Sequence, residues 1–154
     1  MIDEETGVLE KEFFDFLTRF EINRAIRYQS FATLLFLEPD QEFHNGVTLK
    51  IFARILKEEF RDTDIVGRVN HGRFGVILLH ADSQSSFAAG ERLRSRIENY
   101  LFSENKKGTI SLGGACFPKN TTSCKDLIFM AEQMLKTARA KGGNTICFPS
   151  KEEL

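Results

Sequence analysis

The segment from Arg61 to Leu79, Arg-Asp-Thr-Asp-Ile-Val-Gly-Arg-Val-Asn-His-Gly-Arg-Phe-Gly-Val-Ile-Leu-Leu, constrains the fold of this chain more than any other. Ile65 to Val69 and Phe74 to Leu79 are rich in β-branched and aliphatic residues, and Asn70-His71-Gly72 between them supplies residue types that tolerate positive φ. Two strands joined by a tight, solvent-facing turn are therefore predicted. What such a hairpin does depends on its flanks.

Upstream, Leu9, Phe13, Phe16, Leu17 and Phe20 fall at three-and-four spacing, which predicts an amphipathic helix over about 9–28 with those residues buried. Ser30 to Leu37 is apolar nearly throughout and reads as a buried central strand, closed by Pro39 because proline has no amide to donate to a ladder. A second helix is predicted after Asn45-Gly46, with Leu49, Phe52, Ala53, Leu56 and Phe60 on its inner stripe. Downstream of the hairpin, His80 to Ser83 break the pattern, and Ser83 is expected to cap a third helix over about 84–102 that buries Phe87, Leu93, Ile97 and Leu101. Residues 108–117 form a further strand. Ser123 then caps a helix reaching about Lys141, with Leu127, Ala131, Met134, Leu135 and Ala138 inward; Gly142-Gly143 stop it, and a short strand over 144–148 follows. The alternation predicts a layered α+β domain with helices packed on a mixed sheet. The fifteen phenylalanines, in a chain without tryptophan, are expected mostly in its core.

A length of 154 residues is about one domain's worth and can bury a core without metal or disulfide support. With 21 basic and 22 acidic side chains the net charge is −1, so the chain has no basic footprint for a long nucleic acid, and any anionic ligand would be small and locally held. Cys116, Cys124 and Cys147 form no C-x-x-C pair and are odd in number, which fits a reducing compartment; Cys116 and Cys147 read as packed core thiols. The acidic N-terminus and the amphipathic segment after it predict neither a signal peptide nor a membrane span, so a cytoplasmic location is expected. His44, His71 and His80 lack zinc-ligand spacing, and no metal or cofactor is expected.

Asp3, Thr6 and Gly7 match an opening pattern D-x-L-T-G-L-x-N-R, with Glu10 and Lys11 where its Asn and Arg would stand. Asp64 and Arg68 precede the turn, Thr109-Ile110-Ser111-Leu112-Gly113 matches a T-x-S-I-G strand, and Ala131, Leu135, Ala138, Gly142 and Asn144 follow a last-helix pattern. On these residues, in this order, the chain from Asp3 to about Ile146 resembles the GGDEF domain family, the diguanylate cyclases of bacterial signalling. The resemblance implies a five-stranded sheet flanked by helices, as in nucleotidyl cyclases. It also implies that residues 1–154 are a single domain excised from a longer signalling protein.

At the catalytic positions the chain departs from the family. The signature Gly-Gly-Asp/Glu-Glu-Phe is here Asn70-His71-Gly72-Arg73-Phe74. Cyclases of the family join two GTP molecules using Mg²⁺, which needs carboxylate oxygens to hold the metal against phosphates. Gly72 removes one carboxylate and Arg73 replaces another with a permanent cation. The first strand ends Glu38-Pro39-Asp40 where the family has Asp-x-Asp. The segment that would carry guanine-binding residues is shortened to little more than 41–45. Arg139 keeps a phosphate-contacting charge, but the arginine expected after it is Gly143. The resemblance therefore implies a domain without cyclase activity.

A second family site, for the product cyclic di-GMP, is built on an Arg-x-x-Asp motif five residues before the signature turn. Arg61-Asp62-Thr63-Asp64 has that spacing, and Arg92 in Gly90-Glu91-Arg92 matches a further arginine of the site. Arginine can fork two donors onto guanine O6/N7 or onto phosphate, and aspartate can accept from guanine N–H groups. Arg61, Asp64 and Arg92 are thus the expected ligand residues. The alternative is a structural module that dimerises or regulates a neighbouring signalling domain without a nucleotide.

Overall fold

The computed structural model describes residues 1–41, 46–103 and 106–150. His44 and nearly all of the shortened 41–45 segment lie outside the described residues. Among the described residues, four helices and seven strands follow in the order α1 (Lys11–Tyr28), β1 (Ala32–Pro39), α2 (Gly46–Glu59), β2 (Ile65–Arg68), β3 (Phe74–Leu79), α3 (Ser83–Glu98), β4 (Leu101–Ser103), β5 (Lys106–Lys107), β6 (Ile110–Phe117), α4 (Cys124–Ala140) and β7 (Ile146–Cys147). Five strands form one mixed sheet in the order β2-β3-β1-β6-β7, antiparallel except for the β6–β7 pair. The expected α+β architecture is therefore the observed one, with β1 at its centre.

Alternation along β1 divides the core. Leu34 and Phe36 face a cluster with Phe14, Ile22, Leu127, Ala131 and Leu135 from α1 and α4, whereas Leu35 and Leu37 face Phe52, Leu56, Leu93 and Ile97 from α2 and α3. Each fully buried Leu, Ile or Phe contributes about 1.5–3 kcal/mol, so two apolar layers dominate the stability. The predicted inner stripes of α2 and α4 hold, with Met134 half-buried. Cys116 and Cys147 are buried, and burial pushes the Cys116 thiol up.

The inner face of α1 is not the predicted one. Phe14, Thr18, Ile22 and Ala25 are buried, while Phe16 and Phe20 point outward. Thr18 is tolerated inside because its hydroxyl donates to the Phe14 carbonyl at 2.8 Å, leaving no polar group orphaned. The seat for Phe14 is built by the hairpin. Gly67 and Gly75 pair across β2 and β3, and a Cβ on either would lie 2.3 or 2.5 Å from the Phe14 ring.

Three other expectations change. The hairpin tip does not use positive φ: Asn70 Oδ1 accepts the Gly72 amide at 3.0 Å, and the Val69 amide donates to the Arg73 carbonyl at 2.8 Å. Asp82, not Ser83, caps α3 by accepting from the Ser85 amide at 2.8 Å. α3 stops at Glu98, where the Asn99 side chain donates back to the Ser95 carbonyl at 2.8 Å, and Leu101 is exposed in the unforeseen β4–β5 pair. Phe16, Phe20, Phe31, Phe87 and Phe129 are also exposed, so the phenylalanines are less confined to the core than their number implies.

Candidate functional site

The antiparallel register of β1 and β3 pairs Leu37 with Phe74, which brings the end of β1 beside the hairpin tip. A cleft of about 700 Å³ opens there, lined among others by Glu38, Asp40, Asn70, His71, Gly72 and Arg139. Its carboxylates are engaged within the protein. Arg73 Nε donates to Glu38 Oε1 at 2.8 Å, Arg139 Nη1 donates to Glu38 Oε2, and the Arg73 guanidinium carbon lies 5.9 Å from the Phe36 ring centre. Asp40 accepts from the hydroxyls of Thr109 at 2.7 Å and Ser111 at 2.5 Å and from the Asn144 amide at 2.8 Å. Gly143 permits this approach, because at φ +79° a Cβ would sit 2.8 Å from Asp40 Oδ1. Among the described residues, no three His, Cys, Asp or Glu side chains cluster as metal ligands would.

Next to this cleft, Arg68 joins the hairpin to the N-terminal segment. It donates to Asp3 Oδ2 at 3.0 Å, Glu5 Oε1 at 3.1 Å and the His71 carbonyl at 2.8 Å. Burial alone would raise the Asp3 carboxyl, but hydrogen bonds from Thr6 and Arg68 together with the arginine charge hold it below the ordinary aspartate range.

The second cleft, of about 400 Å³, lies where α2 ends and β2 begins, against α3, and Arg61, Asp64 and Arg92 all line it. The turn is self-closing: the Asp64 amide donates to the Arg61 carbonyl at 2.9 Å, and the Arg61 amide donates to Asp64 Oδ2 at 3.1 Å. Asp64 is buried, with 2% side-chain exposure, and its oxygens also receive Arg61 Nε and Nη2 at 3.4 Å each. Arg61 keeps 63% side-chain exposure and also donates to the Leu79 carbonyl at 3.3 Å. Arg92, 62% exposed, leans on Glu59 at 3.5 Å, and Glu59 is shared with Arg96 at 3.3 Å. Both guanidiniums thus keep most of their surface in solvent above acids that are themselves largely buried.

The structure thus brings the three expected ligand residues together, and it gathers Glu38, Asp40, Asn70, His71, Gly72, Arg73 and Arg139 at the other end of the hairpin. Sequence reasoning missed Glu59 and His80 in the second cleft, and the grip of Thr109, Ser111 and Asn144 on Asp40. Glu59 was detectable, since it stands two residues before Arg61 at the end of an amphipathic stripe. The partners of Asp40 come from β6 and the α4–β7 turn, and no local spacing announces them.

A profile described as diguanylate cyclase, GGDEF domain, matches residues 46–145. The chain belongs to the GGDEF domain family. Over 99% of its length it is 30% identical to the protein YhcK of Bacillus subtilis, of which it spans about half, 52%. Its fold matches the GGDEF domain of FimX from Pseudomonas aeruginosa with a TM-score of 0.86 at 22% identity, covering 96% of this chain and 98% of that one. It matches the GGDEF domain of DgcB from Caulobacter crescentus in complex with c-di-GMP with a TM-score of 0.84 at 15% identity, covering 96% and 92%. At these identities the likeness is one of fold. Among the described residues, no helix is long and apolar enough to cross a membrane.

Proposed function

We propose that this domain binds cyclic di-GMP in the cleft of Arg61, Asp64 and Arg92 and does not synthesise it. One observation carries the reading: two guanidiniums from separate elements, each more than half exposed, face one cleft. A cyclic dinucleotide offers two phosphates and two guanine O6/N7 edges, and a guanidinium can fork onto either. Asp64 acts as a positioning residue, aiming Arg61 rather than meeting solvent. The DgcB domain, of the same fold, has been seen in complex with c-di-GMP.

The inactive half of the reading rests on the donor set at the hairpin tip. A divalent cation between two nucleotides needs free carboxylate oxygens. Glu38 faces two arginines, Asp40 is hydrogen-bonded by three donors, and Gly72 and Arg73 hold the signature positions. These residues do not fit the metal.

Calorimetric titration with cyclic di-GMP is expected to give a Kd of about tens of micromolar or tighter, weakened by Arg61→Ala and by Arg92→Ala. Incubation with GTP and Mg²⁺ is expected to return only GTP. Absence of binding would leave the partner-binding alternative in its place, and formation of the cyclic dinucleotide would contradict the inactive assignment.

A further inference from the structure

The outward face of α1 belongs to neither cleft. Phe16, Phe20 and Tyr28 are 58%, 51% and 66% exposed on it, and with Arg19, Arg24 and Arg27 they line a groove of about 630 Å³. Together with Asn23, the lining positions run i, i+3, i+4, i+7, i+8, i+11 and i+12, the spacing by which one helix receives another. The rings lie against one another. Phe13 stacks on Phe16 with centroids 6.4 Å apart, Phe16 on Phe20 at 6.0 Å, and the Arg27 guanidinium lies 5.6 Å from the centre of the Tyr28 ring. Exposed aromatics and arginines are the side chains that dominate protein interfaces.

The charge on this face is one-sided. No acidic residue lines the groove, and the half-buried Glu21, which approaches Arg24 at 3.6 Å, lies outside the lining. A second copy offering the same face would set three arginines against three, a like-charge contact that disfavours a symmetric dimer here. An anionic bilayer would match the charge as well, but side chains 16-20-24-28 and 19-23-27 form two parallel ridges with a furrow between them, the relief into which a helix packs. An acidic helix matches both.

We infer that α1 is the docking surface for an acidic amphipathic helix of a partner protein. Apolar partner residues at three-and-four spacing lie along Phe16, Phe20 and Tyr28, and partner carboxylates meet Arg19, Arg24 and Arg27. The seam from Phe16 to Tyr28 is about 18 Å long, enough for roughly three turns of the incoming helix. This inference stands apart from the dinucleotide reading, because none of its residues lines either cleft.

The test uses the full chain and a fluorescent, stapled helical peptide with leucines at three-and-four spacing and glutamates flanking them, read by anisotropy. A twin peptide carries lysine at every glutamate, and phosphatidylglycerol vesicles form a third probe. The acidic peptide is expected to bind saturably and the twin not. Arg24→Glu/Arg27→Glu and Phe16→Ala/Phe20→Ala should each weaken binding about tenfold or more. Thermal melting of both variants, whose changes are all on exposed side chains, is expected to match the parent chain. No saturable binding of the acidic peptide, equal binding of both peptides, unchanged affinity in either variant, or binding to vesicles in place of the peptide would each overturn the inference.

Discussion

At the tip of the hairpin, Glu38 is held between Arg73 and Arg139, and Asp40 is held by Thr109, Ser111 and the Asn144 amide. At the other end of the same hairpin, Arg61 and Arg92 each lean on one acid across 3.4 and 3.5 Å and keep most of their surface in water. Both clefts hold acids beside arginines. They differ in whether those groups have spent their hydrogen-bonding capacity on the protein. Both Glu38 oxygens already accept from guanidiniums, whose positive charge repels a further cation, whereas an exposed guanidinium still has donors to give. Counting charges in a cleft therefore says less about its use than asking where each hydrogen bond goes.

The largest way to break this contrast is to unseat the hairpin on which both clefts depend. Gly67→Val drives a side chain into Phe14, whose ring lies 2.3 Å from the position of a Cβ there, and should cost stability at the upper end of about 1–3 kcal/mol, read as a lower denaturation midpoint. Separating the clefts comes next. Arg61→Ala should weaken cyclic di-GMP by about 1–3 kcal/mol in calorimetry with the fold intact, while Glu38→Gln should cost about 1 kcal/mol of stability and leave that affinity unchanged. Glu59→Gln sharpens the comparison within the second cleft. Freeing Arg92 from a competing acid should tighten the dinucleotide by less than tenfold, and a weaker affinity would show that Glu59 assists the ligand.

The smallest effect concerns pH. Asp3 has a lowered carboxyl pKa in the folded chain, so its contribution is fully present above the ordinary aspartate value and is lost as pH falls through the folded one. The melting-temperature gap between the parent chain and Asp3→Asn should be widest near pH 7 and close below about pH 4. A gap independent of pH would mean that Arg68 gains nothing from the charge.

How much of this was legible in the sequence depended on how local the cause was. The hairpin, the stripes of α2 and α4 and the Ser123 cap are set by residues a few positions apart, and they appear as expected. The buried face of α1 is not, because its choice turns on a threonine that satisfies its own hydroxyl and on two glycines in another element that admit Phe14. Counting apolar residues selected Phe16 and Phe20 instead, and their exposure is what opens the groove. The tip of the hairpin was misread in a similar way, since the Asn70 side chain closes a turn that was assigned to positive φ. At the first cleft, Gly72 and Arg73 are read directly from the sequence, but the arginines that pair with Glu38 meet it only through the pairing of β1 with β3 and the docking of α4.

The most direct test maps the ligand on the protein. Amide and arginine side-chain NMR signals of the isotopically labelled chain, followed during titration with cyclic di-GMP, should move at Arg61, Asp64 and Arg92 and stay fixed at Glu38, Arg73 and Arg139. Shifts centred on the hairpin tip with Arg61 and Arg92 unmoved would contradict the account.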